Sequence, residues 1–184
     1  MKWKRLNGKR VKPFTFSILP FTNKGFIEFL HEIWYEMEAL QNFWERMGSG
    51  MFQTFQVRTS KKTELIDITS IVQEAVRKRG VKDGICFIFV PHTTAAVTIN
   101  ENADPSVPQD IVMEINKIVP FEDRYHHLEG NSPAHIKASL IGNSETIFVD
   151  SGRLVLGTWQ GVFFYEFDGP RNRSVHINVI SDGK

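Results

Sequence analysis

The sequence is short of cysteine, of long apolar runs and of charge of one sign, and each shortage excludes a class of protein. Cys86 is the one cysteine in 184 residues. A single thiol can neither form an internal disulfide framework nor supply a cysteine-rich zinc site. It stands in the apolar run Ile85-Cys86-Phe87-Ile88-Phe89-Val90, where a thiol is expected to be buried packing rather than a nucleophile. No stretch approaches the ~20 apolar residues of a membrane span. The basic N-terminus is not followed by an apolar core and a small-residue cleavage site, so no signal peptide is read there. The expectation is a soluble, cytoplasmic protein. Its 22 Lys and Arg against 21 Asp and Glu leave a net +1, so neither nucleic acid nor an anionic membrane is expected as a partner.

The near-neutral total hides a break. Residues 1–50 hold 8 basic and 5 acidic side chains and 10 of the 22 aromatics, while the remaining 134 hold 14 basic, 16 acidic and 12 aromatic. The two parts are therefore read separately, as an N-terminal extension over 1–50 and a domain over 51–184. Residues 1–24 show no sustained period. Over 25–46, Phe26, Phe29, Leu30, Ile33, Trp34, Met37, Leu40, Phe43 and Trp44 recur at helical spacing, and Gly48-Ser49-Gly50 follows. This predicts an amphipathic helix. Its polar face is acidic, which argues against a membrane surface. It either packs on its own domain or a neighbouring subunit, or the natural start is Met47 or Met51 and the first 50 residues lie outside the native product.

From Met51 the pattern is regular. Strands are predicted at 52–58, 64–68, 84–90, 96–100, 146–149, 153–156, 160–167 and 174–180. The run over 84–90 is nearly continuous in apolar residues and reads as a central strand. Thr69 or Ser70 is expected to cap a helix that ends at Gly80. A second helix spans 108–118 and is stopped by Pro120. Ser132-Pro133 opens a third, over 134–141 and closed by Gly142, and 121–131 form a polar loop. Strands, then helices, then strands again make the class α+β.

Chemistry concentrates in three segments. In the first, His92, Thr93 and Thr94 follow an apolar strand, and Asn100, Glu101, Asn102 and Asp104 precede a helix whose free N–H groups suit a phosphate or carboxylate. Turn and capping roles for Asn102 and Asp104 are the alternative. In the second, His127 and Glu129 lie on a loop and His135 and Lys137 on the helix after it. Imidazole and carboxylate suit zinc or manganese; a solvated loop with a histidine at a helix start is the alternative. In the third, Gly157 and Gly161 bracket Thr158, Trp159 and Gln160, which offer a hydroxyl, an indole N–H and an amide beside a close backbone approach; here the alternative is Trp159 as core packing. His31 and His176 are expected to be structural. Glu166, Asp168, Arg171 and Arg173 are expected as surface charges, with a subunit-interface role open.

Three strings together resemble the YjbQ family, the secondary thiamine-phosphate synthase enzymes: His-Thr-Thr-Ala-Ala-Val-Thr-Ile-Asn-Glu-Asn-Ala-Asp-Pro over 92–105, His-Leu-Glu-Gly-Asn-Ser-Pro-Ala-His-Ile-Lys-Ala-Ser-Leu-Ile-Gly over 127–142, and Gly-Arg-Leu-Val-Leu-Gly-Thr-Trp-Gln-Gly over 152–161. The resemblance covers about residues 52–181. It implies an α+β fold in which a mixed sheet curls into a half-barrel or sandwich with two or three helices, assembled as a homotrimer. It also implies a transferase that joins hydroxymethylpyrimidine pyrophosphate to thiazole phosphate and releases pyrophosphate. On that reading His92, His127, His135 and Lys137 are catalytic. Thr93, Asn100, Asn102, Asp104, Glu129, Thr158, Trp159 and Gln160 bind a small phosphorylated substrate, with Trp159 stacked on a pyrimidine. Pyrophosphate as leaving group calls for charge neutralisation by Lys, His or a divalent ion (Zn, Mg or Mn) on His92, His127 and His135. The alternative is a small-ligand or metal-binding trimer without turnover.

Overall fold

The structure is a computed structural model that describes residues 51–183 throughout and, before them, Lys4–Leu6, Lys9–Val11, His31, Ile33–Tyr35 and Met37. Its contacts divide the chain into Met1–Gly48 and Ser49–Lys184. In the first unit β1 (Lys4–Leu6) and β2 (Lys9–Val11) form an antiparallel hairpin, Lys4 opposite Val11. The sequence reading found no period there, although Asn7-Gly8, the dipeptide favoured by two-residue hairpin turns, separates the two strands. The expected helix over 25–46 is helical at His31, Ile33–Tyr35 and Met37; its other positions lie outside the described residues.

The second unit holds eight strands and three helices. They are β3 (Gln53–Arg58), β4 (Glu64–Asp67), α1 (Thr69–Arg79), β5 (Gly84–Phe89), β6 (Ala95–Glu101), α2 (Ser106–Ile118), α3 (Ser132–Ile141), β7 (Ser144–Asp150), β8 (Arg153–Leu154), β9 (Gln160–Glu166) and β10 (Asn172–Ser181). One sheet runs β3-β10-β5-β7-β8, the other β4-β9-β6. The class is α+β with curled sheets, as expected, and the strand directions refine the expected mixed sheet: every ladder among the described residues is antiparallel.

The main core lies between the sheets. Val57, Cys86, Ile88, Val97, Ile147, Val162, Phe164, Val175 and Ile177 face one another there, joined by Val72, Ala75 and Val76 of α1. A second cluster covers the other face of the three-stranded sheet. Ala96, Tyr165 and Phe167 pack on Ala134 and Ala138 of α3 and on Ile111, Val112 and Ile115 of α2. β9 is thus buried on both faces, from Gly161 to Phe167, whereas β5 is buried on one. Cys86 and Ile88 point inward while Ile85, Phe87 and Phe89 are exposed, so the continuous apolar run of β5 does not mark a strand covered on both sides in this chain.

Two expected caps differ. α1 begins after Ile68 without a side-chain cap. The Thr69 hydroxyl instead bonds the Asp67 carboxylate at 2.5 Å and accepts the Val162 N–H at 2.8 Å, tying the helix start to β9. α3 begins at Ser132, two residues before the expected 134, with Asn131 before it. Gly80 ends α1 in the left-handed region at φ 65°, where glycine carries no Cβ penalty.

Cys86 is fully buried, and burial pushes its thiol up to about 12. We expect the folded protein to resist a disulfide thiol reagent near neutral pH and the denatured protein to titrate its single thiol. Prompt reaction of the folded chain, followed by absorbance, would show that the thiol is accessible.

Candidate functional site

The ladder between β6 and β9 fixes where the three chemical segments fall. Ala95 pairs with Glu166 at one end and Glu101 with Gln160 at the other. Six residue steps at ~3.4 Å each separate these ends by about 20 Å. The segments therefore form two groups and not one.

At the first end, β5 leads through Val90 to His92 and Thr93, and α3 brings His135 alongside. His92, Thr93, His135, Ser139 and Asn143 line a cleft of about 390 Å³ with no carboxylate in its wall. His135 also faces a second hollow of about 370 Å³, beside Tyr125, His127 and Ser132. The His127 and His135 rings meet edge to face at 5.4 Å, and His127 Nε2 lies 3.7 Å from Glu129.

His92 has a defined donor pattern. Its Nε2 accepts the Ser174 backbone N–H at 3.0 Å. A nitrogen that accepts this bond carries no proton, so in the neutral ring the proton sits on Nδ1. Partial burial, and then the nearby Arg173 guanidinium, lower the pKa of His92 below its ordinary value. Both effects favour the neutral ring, whose proton then sits on Nδ1.

Behind it lies a pair that the sequence reading misplaced. Glu166 and Arg173 were expected at the surface, but Glu166 is completely buried and Arg173 is 7% exposed. Arg173 Nη2 and Nε meet the two carboxylate oxygens at 2.6 and 2.8 Å, and Nη2 also donates to Thr94 Oγ1 at 2.8 Å. The Phe167 and Asp168 amides donate to Glu166 at 3.1 and 2.9 Å, and the Thr59 hydroxyl at 3.1 Å. The signal was strand alternation carried one step further. Val162 and Phe164 of β9 face inward, and so does Glu166; Val179, Ile177 and Val175 of β10 face inward, and so does Arg173. Asp168 and Arg171, joined at 2.7 Å, are the more exposed pair of the four.

Lys137 is not with His135. Two residues along a helix turn a side chain to roughly the opposite face, and Lys137 is buried towards α2. Its Nζ donates to Asn116 Oδ1 at 2.6 Å and lies 3.9 Å from the centre of the Phe121 ring. Burial, and then the Lys62 charge, push its pKa down to about 8. Lys137 thus does not line the His92 cleft; its ammonium lies against Asn116 and the Phe121 ring.

At the second end, Asn102 takes the Trp159 carbonyl through its backbone N–H at 2.9 Å and donates from its amide to Asp67 at 3.2 Å. A Cβ on Gly161 would lie 2.5 Å from the Asn102 amide nitrogen, so this approach requires glycine. Trp159 is 63% exposed, which removes the core-packing alternative. Gln160 Oε1 accepts the Gly157 N–H at 2.8 Å, and Thr158 is exposed beside it. Asn100 Oδ1 accepts the adjacent Glu101 N–H. Asp104 accepts the Ser106 N–H and hydroxyl, each at 2.8 Å, and these bonds hold its pKa low. Asp104 thus closes a turn at the start of α2, which itself carries no side-chain cap.

The expected ion site does not fit this placement. No three or more His, Cys, Asp or Glu side chains among the described residues lie close enough to share an ion. His92 in addition has its unprotonated nitrogen committed to Ser174.

Comparison with known proteins places these residues. Residues 53–182 match the family described as UPF0047 protein YjbQ-like. The chain belongs to the YjbQ-like UPF0047 family. It is 52% identical over 132 residues to the UPF0047 protein MJ1081 of Methanocaldococcus jannaschii, covering 72% of this chain and 96% of that protein. It is 46% identical over 131 residues to the UPF0047 protein YugU of Bacillus subtilis, covering 71% and 99%. A crystal structure of an uncharacterised YjbQ/UPF0047 protein from Clostridium acetobutylicum superposes with a TM-score of 0.69 at 52% identity, covering 70% of this chain and 99% of that one. A YbjQ-like protein of unknown function from Sulfolobus solfataricus gives 0.69 at 36% identity, covering 71% and 96%. The YjbQ-like part thus carries all three chemical segments and both ends of the β6–β9 ladder. No helix among the described residues is long and apolar enough to cross a membrane.

Proposed function

We propose that this YjbQ-like protein is a transferase of the thiamine-phosphate synthase type, acting on a pyrophosphorylated pyrimidine at the His92–His135 cleft. The observation that carries this reading is the chemistry of the cleft wall. Two imidazoles, two hydroxyls and an amide line it without a carboxylate, an arrangement that offers hydrogen-bond donors to an anionic ligand and repels none. In the reaction, the thiazole nitrogen forms a bond to the pyrimidine methylene carbon as that carbon's bond to the pyrophosphate oxygen breaks. The electron pair leaves on pyrophosphate, with His92 and His135, which line one cleft, as the hydrogen-bond donors to it.

We further infer a homotrimer in which the site is shared. Ile85, flanked in register by Phe148 and Ile180, is exposed together with Phe87 and Phe89 on the outer face of the five-stranded sheet. An apolar surface of this kind favours association with another copy. In a ring of identical subunits two different surfaces meet, so the Trp159 end of one copy can complete the His92 end of the next.

His92→Ala and His135→Ala should each lower pyrophosphate release by about 100-fold or more, with folding intact by circular dichroism. Mixed trimers of His92→Ala and Trp159→Ala chains should recover part of the activity. Unchanged release in both histidine variants would remove the catalytic reading. The cleft lining contains imidazoles, hydroxyls and an amide but no lysine or arginine, which favours a second reading, a small-ligand-binding protein without turnover. It predicts tight pyrophosphate-ester binding by calorimetry with no product.

A further inference from the structure

We infer that the buried Glu166–Arg173 pair is a positioning device for His92: it pins the start of β10 and the segment before β6 around the imidazole, fixes the Nδ1–H tautomer, and so sets which atom donates into the cleft. The inference rests on the reading of that cleft as the ligand site. Three observations carry it. Arg173 immediately precedes Ser174, whose amide is the donor to His92 Nε2. The same guanidinium holds Thr94, two residues after His92, through the Thr94 hydroxyl at 2.8 Å. Glu166 locks that guanidinium by two bonds and is itself anchored by two backbone amides and Thr59. One planar fork therefore restrains both chain segments that define the ring's surroundings, a role that suits arginine and its fixed donor geometry better than lysine. The charged and titratable groups that act on His92 are Arg173, Glu166 and His176; with burial their combined influence favours the neutral ring. A purely structural pair would need only to close the end of the core. This one also selects a tautomer, because the Ser174 amide can be accepted at Nε2 only when the proton is on Nδ1.

The test is a long-range proton–nitrogen NMR correlation of the full chain, with the His92 signals identified by their loss in His92→Gln. At a pH of about 7, the wild-type His92 should show a protonated Nδ1 and an unprotonated Nε2. In Arg173→Lys and Glu166→Gln the two nitrogen shifts should move toward averaged values as the tautomers mix. A wild-type ring protonated on Nε2, or a mixture, would overturn the inference. So would unchanged shifts in both variants when they fold. If neither folds, Thr94→Val decides, since it removes one bond to Arg173 and leaves the ion pair; unchanged His92 shifts there also refute the inference. An unmixed Nδ1–H tautomer in a protein that neither binds nor turns over phosphorylated pyrimidines would remove the reading of the cleft and leave the positioning role standing.

Discussion

Arg173→Met is expected to cost the folded protein about 3–5 kcal/mol, the range for breaking a buried ion pair by removing one partner. The cause is the charge left behind. Glu166 is completely buried between the two sheets, and its remaining bonds, from Thr59, Phe167 and Asp168, were arranged around a guanidinium that also neutralised it. A methionine fills much of the same space but supplies neither donors nor charge. The double variant Glu166→Leu with Arg173→Met should recover most of the loss, because apolar replacement of a whole buried pair is often neutral or stabilising. Urea unfolding followed by circular dichroism measures both. A loss below about 1 kcal/mol in the single variant, the size of an exposed pair, would mean that water reaches the carboxylate.

The second large effect concerns Lys137 and pH. Its ammonium is buried against an amide and an aromatic ring, with Lys62 also 4.2 Å from the centre of that ring. With a folded pKa of about 8 against 10.5 for the free side chain, the unfolded chain binds more protons throughout the interval between them. Stability from this group therefore rises with pH across that window, is complete above the unfolded value, and is lost as pH falls through the folded one. The size is on the order of 3 kcal/mol. Lys137→Met should remove that rise and make the protein more stable than wild type at pH 7, less what the partly exposed Asn116 loses as its bond passes to water. Urea midpoints across the window for both chains give the result. Parallel curves would mean that Lys137 keeps an ordinary pKa in the folded protein.

Much of the domain was legible because its signals are local. Alternation located the strands of the second unit, Gly80 and Pro120 ended helices, and the strings over 92–105, 127–142 and 152–161 sufficed for the family. What escaped the reading depends on partners distant in sequence. Glu166 and Arg173 look like surface charges because charge is normally solvated; only the facing sheet shows that each is the other's partner. Lys137 and His135 look like neighbours in sequence, yet helical geometry sends one into the α2–α3 packing and the other to the cleft. The capping assignment at Thr69 failed because its hydroxyl is bonded to Asp67 and to the Val162 amide of β9, and Ser132 is itself the first residue of α3.

The sequence by itself determined the α+β class, the order of the elements, a buried thiol at Cys86 and membership of the YjbQ-like family, since these follow from periodicity and from short strings that need no partner. The tertiary structure alone decided that the chemical residues separate into two ends of one β-ladder, that His92 Nε2 accepts the Ser174 amide, and that a completely buried Glu166–Arg173 pair stands behind it. The physical reason is that hydrogen-bond direction and burial belong to pairs of segments, and segments as far apart as Thr59, Thr94, Glu166 and Arg173 acquire them only when the sheets close on each other.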